Sequence, residues 1–125
     1  TDIGWEIYPA AFTDLLCSLH QQYQLPPLYI TENGAAAADQ LIDGVVTDSL
    51  RLDYYQQHLL AVDQAIRQGV RVDGYFAWSL MDNFEWAEGY TAPFGLFHID
   101  FNTLERNPKQ SAYWVKELAE RLKRG

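Results

Sequence analysis

Two short apolar runs, Leu28-Tyr29-Ile30-Thr31 and Val70 to Trp78, are separated by a helical pattern long enough to carry the chain back across a sheet. Strands joined by a crossover helix pair in parallel, and a parallel pair needs helices on both faces or closure into a barrel. Two strands can supply neither arrangement. Both runs are apolar enough to demand cover on each side. The chain therefore reads as a portion of a larger α/β protein. A (β/α)8 barrel takes about 250 residues, so these 125 supply about two of its units and a closing helix.

The helical patterns frame those strands. Pro9 opens the first, with Phe12, Leu15, Leu16, Leu19 and Tyr23 spaced along one face until Pro26-Pro27 stops it. Glu32-Asn33-Gly34 then closes the first strand as a tight turn, because Asn-Gly tolerates a positive φ. Residues 35–46, with Ala35 to Ala38 followed by Asp39, Asp43 and Gly44, read as a loop. A second helix runs from about Ser49, capped by Asp48, to Gly69, with Leu52, Tyr55, Leu59, Val62 and Ile66 facing inward. Ser79 to Glu105 shows no sustained period. The last helix is expected from Asn107-Pro108, with Asn107 capping and Gln110 reciprocating, and Val115, Leu118, Ala119 and Leu122 lining its face. With no internal repeat or linker, residues 1–125 form one piece of a single domain.

Charge and composition narrow the function. Nine Lys+Arg against 17 Asp+Glu give a net charge of −8, which excludes a non-specific nucleic-acid binder. No run approaches the roughly 18 apolar residues of a membrane span. The single cysteine, Cys17, forms no internal disulfide and reads as a small core residue. No Cys/His cluster has metal-ligand spacing. His58 reads as a structural hydrogen-bonder on its helix. The chain begins at Thr1 with no targeting segment in view, so the compartment stays open, with the cytoplasm favoured.

In an α/β barrel the chemistry sits at the C-terminal ends of the strands. Glu32 follows the first strand, where a carboxylate either points into the barrel mouth or decorates a turn. Trp78 follows the second and opens a segment with Glu85 and Trp86, then Tyr90, Phe94 and Phe97. Indole faces can cover the C–H patch of a sugar while a carboxylate accepts bonds from neighbouring hydroxyls. The bland reading, a hydrophobic loop folded over the barrel end, suits Phe84 and Phe97. It suits Glu85 less, since a carboxylate between Phe and Trp is costly to bury unpartnered. Asp82 and Asn83 read as loop-fixing residues.

The chain resembles the retaining β-glycosidases of glycoside hydrolase family 1, especially β-glucosidases. The matching motifs run its whole length. They comprise Gly4-Trp5-Glu6-Ile7-Tyr8-Pro9, Tyr29-Ile30-Thr31-Glu32-Asn33-Gly34, Arg51 with Tyr54, His58 and Leu59, and Gly74-Tyr75-Phe76-Ala77-Trp78-Ser79-Leu80. They continue through Asp82-Asn83-Phe84-Glu85-Trp86, Gly89-Tyr90, Phe94-Gly95-Leu96, and Lys109 with Ser111. The resemblance implies the C-terminal part of a TIM barrel, with Glu32 the catalytic nucleophile. It implies that Trp78, Glu85 and Trp86 hold the sugar, Glu85 accepting from the hydroxyls at positions 4 and 6, and that Phe94 lies near the pocket wall. Pro93 departs from the family, which usually has a basic residue there.

The family's acid/base lies in an Asn-Glu-Pro motif, and no such motif occurs in this chain. The implied activity is hydrolysis of terminal β-glucosyl residues from β-glucosides or cello-oligosaccharides, without metal or other cofactor. The implied partner is the N-terminal portion of the same barrel, so the isolated chain is expected to be inactive. Phospho-sugar hydrolases of the family tend to carry Ser and a basic pair where Glu85 stands, which favours neutral sugars here. Two other readings remain: a non-catalytic sugar-binding module, and a half-barrel that associates with copies of itself.

Overall fold

The structure, a computed structural model, describes residues 1–123. Its elements are α1 (Pro9–Gln22), β1 (Leu28–Asn33), β2 (Leu41–Ile42), β3 (Val45–Val46), α2 (Ser49–Arg67), β4 (Val72–Ala77), β5 (Phe97–Ile99), β6 (Arg106–Pro108) and α3 (Gln110–Leu122). A single 3-10 turn spans Trp86–Glu88. β1 and β4 pair in parallel with α2 as the crossover, as the strand spacing predicts. No helix among the described residues is long and apolar enough to cross a membrane.

One face of the parallel pair is covered and the other is bare. Leu28, Ile30, Val72 and Tyr75 pack on the helix side against Leu16 of α1, Val62 and Ala65 of α2, and Val70. Thr13 fastens the two helices by donating its hydroxyl to the Ala61 carbonyl at 2.9 Å. A second cluster joins Tyr54 and Tyr55 of α2 to Leu96, Trp114 and Val115. On the opposite face Tyr29 and Phe76 are 59% and 58% exposed.

Several predicted faces are rotated. Leu15 of α1, Tyr23 just beyond its end, Ile66 of α2, and Ala119 and Leu122 of α3 point outward. Arg51, Tyr54, His58 and Ala61 are buried in their stead on α2. The apolar period locates the helices, but it cannot say which apolar residues face neighbours within this chain.

Residues 35–46 are ordered rather than a plain loop. Leu41–Ile42 and Val45–Val46 form an antiparallel hairpin turned at Asp43-Gly44, whose φ values are 50° and 77°. Two positive φ values in a two-residue turn match the right-handed twist of the flanking strands. Ala35, Ala36 and Ala37 are buried, because small side chains let this segment run close to the rest of the fold. Ser79 to Glu105 likewise contributes β5, which pairs with β6. Asn107-Pro108 is therefore strand and does not open α3, whose N-cap is Lys109.

Gly34 is not a positive-φ turn residue, and β1 runs extended through Asn33. Its lack of a side chain serves a close approach instead, since a Cβ there would overlap the Trp78 carbonyl. Gly69, at φ 99°, does follow α2 as the left-handed residue expected after a helix.

His58 acts as the predicted structural group. Its Nδ1–H donates to the Tyr54 carbonyl at 2.9 Å, and the two rings stack at 3.8 Å. Burial holds the imidazole below its ordinary value of 6.5, the bond to Tyr54 opposing. A depressed histidine leaves the unfolded chain binding more protons just below that value. Its contribution is thus complete above pH 6.5 and lost as pH falls through the folded value. Thermal midpoints of wild type and His58→Phe, compared from about pH 8 to about pH 5, should show wild type losing ground to the variant on acidification. Parallel curves would contradict this.

Candidate active site

Both strands of the parallel pair end at one rim. Asn33 accepts the Trp78 N–H at 2.8 Å, joining the two ends, and Tyr55 of α2 donates its hydroxyl to the Trp78 carbonyl at 3.0 Å. Burial pushes the Tyr55 phenol well above its usual range, so the donor stays protonated. Glu32 is exposed on β1, and Trp78 stands one residue beyond β4, 37% exposed. The Trp78–Ser79 peptide is cis.

Glu85 returns to this rim. Trp78 Nε1–H donates to Glu85 Oε1 at 3.1 Å, which gives the half-buried carboxylate a partner. The 3-10 turn brings Glu85 N–H to the Gly89 carbonyl at 2.7 Å. Trp86 adopts φ 44° and is turned outward, 85% exposed. A large residue in the left-handed region is uncommon and costs about 1 kcal/mol or more. Phe94 is buried among Ala36, Ala92 and Ile3, with Trp5 tilted across it. Phe97 is half-buried, whereas Phe84 is exposed and meets Tyr90 edge-on at 5.4 Å.

A buried ion cluster holds the rim from behind. Arg51, fully buried, reaches Asp39 at 2.8 Å and Asp48 at 2.7 Å, and donates to the carbonyls of Ala35 and Pro93. Lys109, also fully buried, reaches Asp39 at 2.5 Å and Asp82 at 2.7 Å. Asp82 accepts the Gly95 N–H at 2.8 Å, with His98 3.6 Å away. Asp48 does not cap its own helix by its side chain; it accepts the Ser111 N–H at 2.9 Å and so caps α3. Asp82 and Asn83 thus fix the loop, Asn83 donating to the Ser79 hydroxyl and the Met81 carbonyl.

The sequence pattern missed the polar groups that place these ends. Arg51 and Tyr54 lie off the apolar stripe read for α2, and Asp39 lies in the irregular segment before β2. The one local hint is that adjacent Tyr54 and Tyr55 both lie one helical turn from other apolar residues. Among the described residues, no group of His, Cys, Asp or Glu is placed to hold a metal ion.

The chain is similar in sequence and fold to known proteins. The family model described as Glycosyl hydrolase family 1 matches residues 1–124. The chain is 51% identical over 125 residues to a β-glucosidase of an Agrobacterium species, covering 100% of this chain and 27% of that protein. It is 47% identical over 121 residues to a 6-phospho-β-galactosidase of Streptococcus mutans, covering 96% of this chain and 26% of that protein. The crystal structure of the family 1 β-glucosidase of Exiguobacterium antarcticum matches with a TM-score of 0.97 at 46% identity, covering 100% of this chain and 28% of that one. The chain thus spans just over a quarter of the length of these relatives.

Proposed function

The chain belongs to glycosyl hydrolase family 1, and on that premise we propose that it forms the C-terminal part of a retaining β-glucosidase barrel whose remaining strands come from other polypeptide. The observation that carries this reading is Glu32, exposed near the end of β1, whose next residue accepts the Trp78 N–H while the Trp78 indole donates to Glu85. A retaining glycosidase sets an ionised carboxylate about 5–5.5 Å from a protonated one, the first attacking the anomeric carbon and the second protonating the leaving oxygen. Glu32 is the nucleophile. The acid/base lies outside this chain. Trp78, Glu85 and Trp86 hold the glucosyl unit, Glu85 accepting from its hydroxyls.

The incomplete sheet supports the barrel reading. Among the described residues the parallel sheet has two strands, with Tyr29 and Phe76 exposed on its inner face. An apolar groove of about 720 Å³ runs between α2, β4 and α3, lined by Leu59, Leu60, Ile66, Trp114, Leu118 and Leu122. Such surfaces are costly to leave in water, at about 25 cal/mol per Å². They also favour a second reading for the chain when alone: association with its own copies.

Glu85 argues for neutral sugars. A half-buried carboxylate against the glycone repels a 6-phosphate dianion, so the preference is set against that named for the Streptococcus mutans relative. One assay tests these points together: aryl β-glucoside and its 6-phospho counterpart, with the mass of the species recorded on the same sample. The complete enzyme should cleave the neutral substrate in preference, and the isolated chain should cleave neither. Strong turnover by the 125-residue chain, or a preference for the phosphorylated sugar, would contradict the proposal.

A further inference from the structure

Strand alternation would place Glu32 on the wrong face. Successive residues of a strand point to opposite sides, and Leu28 and Ile30 pack against the helix-side core. Unbroken alternation would send Glu32 to that same side, into apolar surroundings. The register shows why it does not go there. Ile30 pairs with Tyr75, and the next pair is Asn33 with Ala77, so β1 spends one more residue than β4 over this interval. A bulge of this kind resets the parity of the strand and re-aims a side chain. Thr31 and Glu32 are both exposed, and Asn33 takes the helix-facing place.

Asn33 is gripped there from two elements. Tyr75 of β4 donates its hydroxyl to Asn33 Oδ1 at 2.5 Å, and Asn33 Nδ2–H donates to the Tyr54 hydroxyl of α2 at 3.0 Å. Tyr75 lies opposite Ile30, the last residue before the extra one, so the grip begins where the register breaks. Burial holds both phenols above their ordinary range, so each remains a hydroxyl at neutral pH. The Asn-Gly pair suggests a turn role for Asn33; the contacts give it a different one.

Resting on the reading of Glu32 as nucleophile, we infer that Asn33, clamped between Tyr54 and Tyr75, is the positioning group that maintains the bulge and directs Glu32 away from the helix layer. Tyr54 and Tyr75 are then positioning residues for the attack step, although neither reaches the sugar. Loosening the clamp lets β1 regain its alternation, which withdraws the carboxylate from the anomeric carbon. Misplacement by about 1 Å costs on the order of 10²-fold in rate.

The test uses the complete enzyme with Tyr75→Phe and Tyr54→Phe, which remove opposite ends of the clamp and keep both rings. The readout is the rate of glucosyl-enzyme formation per active site, counted by the burst of aryl leaving group, beside competitive inhibition by glucose. Each variant should lose roughly 10- to 100-fold in that rate while glucose inhibition stays at its wild-type value. Misfolded material lowers the site count and leaves the rate per site untouched. A wild-type rate per site with only a lowered thermal midpoint overturns the inference, as does an equal loss of rate and glucose binding. Full activity of Glu32→Gly in the same series sinks the nucleophile reading instead, and so is told apart.

Discussion

In the complete enzyme, Glu32→Gly is expected to lower turnover of an aryl β-glucoside by roughly 10⁴-fold or more, the scale on which deleting a covalent-catalysis group acts. The loss comes from the attack step, and the two carboxylates of the segment after β4, Glu85 and Asp82, are otherwise engaged. Glu85 is engaged by Trp78 Nε1–H at 3.1 Å. Asp82 is buried and bound to Lys109 and the Gly95 N–H. Glycine leaves a space that a small carboxylate can enter, so added formate should restore part of the rate by attacking the anomeric carbon in place of Glu32. Rescue of that kind separates a lost nucleophile from a misfolded site, since formate cannot refold a protein. Kinetic assay with and without formate checks both halves. Undiminished turnover in the variant would remove Glu32 from its role.

The second large effect is on stability. Lys109→Met should destabilise the enzyme by about 3–5 kcal/mol, the usual cost of removing one partner of a buried ion pair. Methionine keeps most of the stem's volume, so the loss is one of charge and not of packing. Arg51 and Lys109 face Asp39, Asp48 and Asp82, all of them buried at the side chain. Burial already raises the Asp39 carboxyl above its ordinary value, with Arg51 and Lys109 opposing that rise. Without Lys109, Asp39 and Asp82 share one fewer cation in a medium that solvates neither. Adding Asp39→Asn should recover part of the loss, since it removes a carboxylate that Lys109 had balanced. Exposed pairs give the contrast: breaking Arg67–Asp63, 2.7 Å long at the surface, should cost no more than about 1 kcal/mol. Chemical unfolding of the three variants checks the series, and a Lys109→Met effect as small as that of the surface pair would contradict it.

The larger features were legible because they follow from periodicity. Two apolar runs around an amphipathic segment required a parallel pair with α2 as the crossover, and Gly69 ended that helix as expected. The hairpin at Asp43-Gly44 was hidden because its strands are two residues each, too short for any alternation to register. Asn107-Pro108 imitated a helix start, but pairing with Phe97 and His98 drew both into β6. Leu15, Ile66 and Leu122 were expected inside by their spacing, and their exposure here matches the proposal that further polypeptide covers those faces.

The sequence singles out candidate residues and says little of how they are held. Glu32, Trp78 and Glu85 were singled out by their places after strands and among aromatics, and the fold brings Trp78 and Glu85 together while Trp86 is exposed. The face on which Glu32 lies could not be read from the chain. It goes with one extra residue in β1, and the hydrogen-bond partners of Asn33 at that point, Tyr54 and Tyr75, lie 21 and 42 positions away. The burial of Arg51 and Lys109 was equally hidden, because a charge enters a core only with its partners, and Asp39 and Lys109 are 70 positions apart.

One measurement bears most directly on the whole account: treat the complete enzyme with a 2-deoxy-2-fluoro-β-glucosyl fluoride, digest it, and locate the added sugar by peptide mass. A stable ester on Glu32 is expected, within the peptide that carries Thr31 and Asn33. An adduct on any other residue would contradict it.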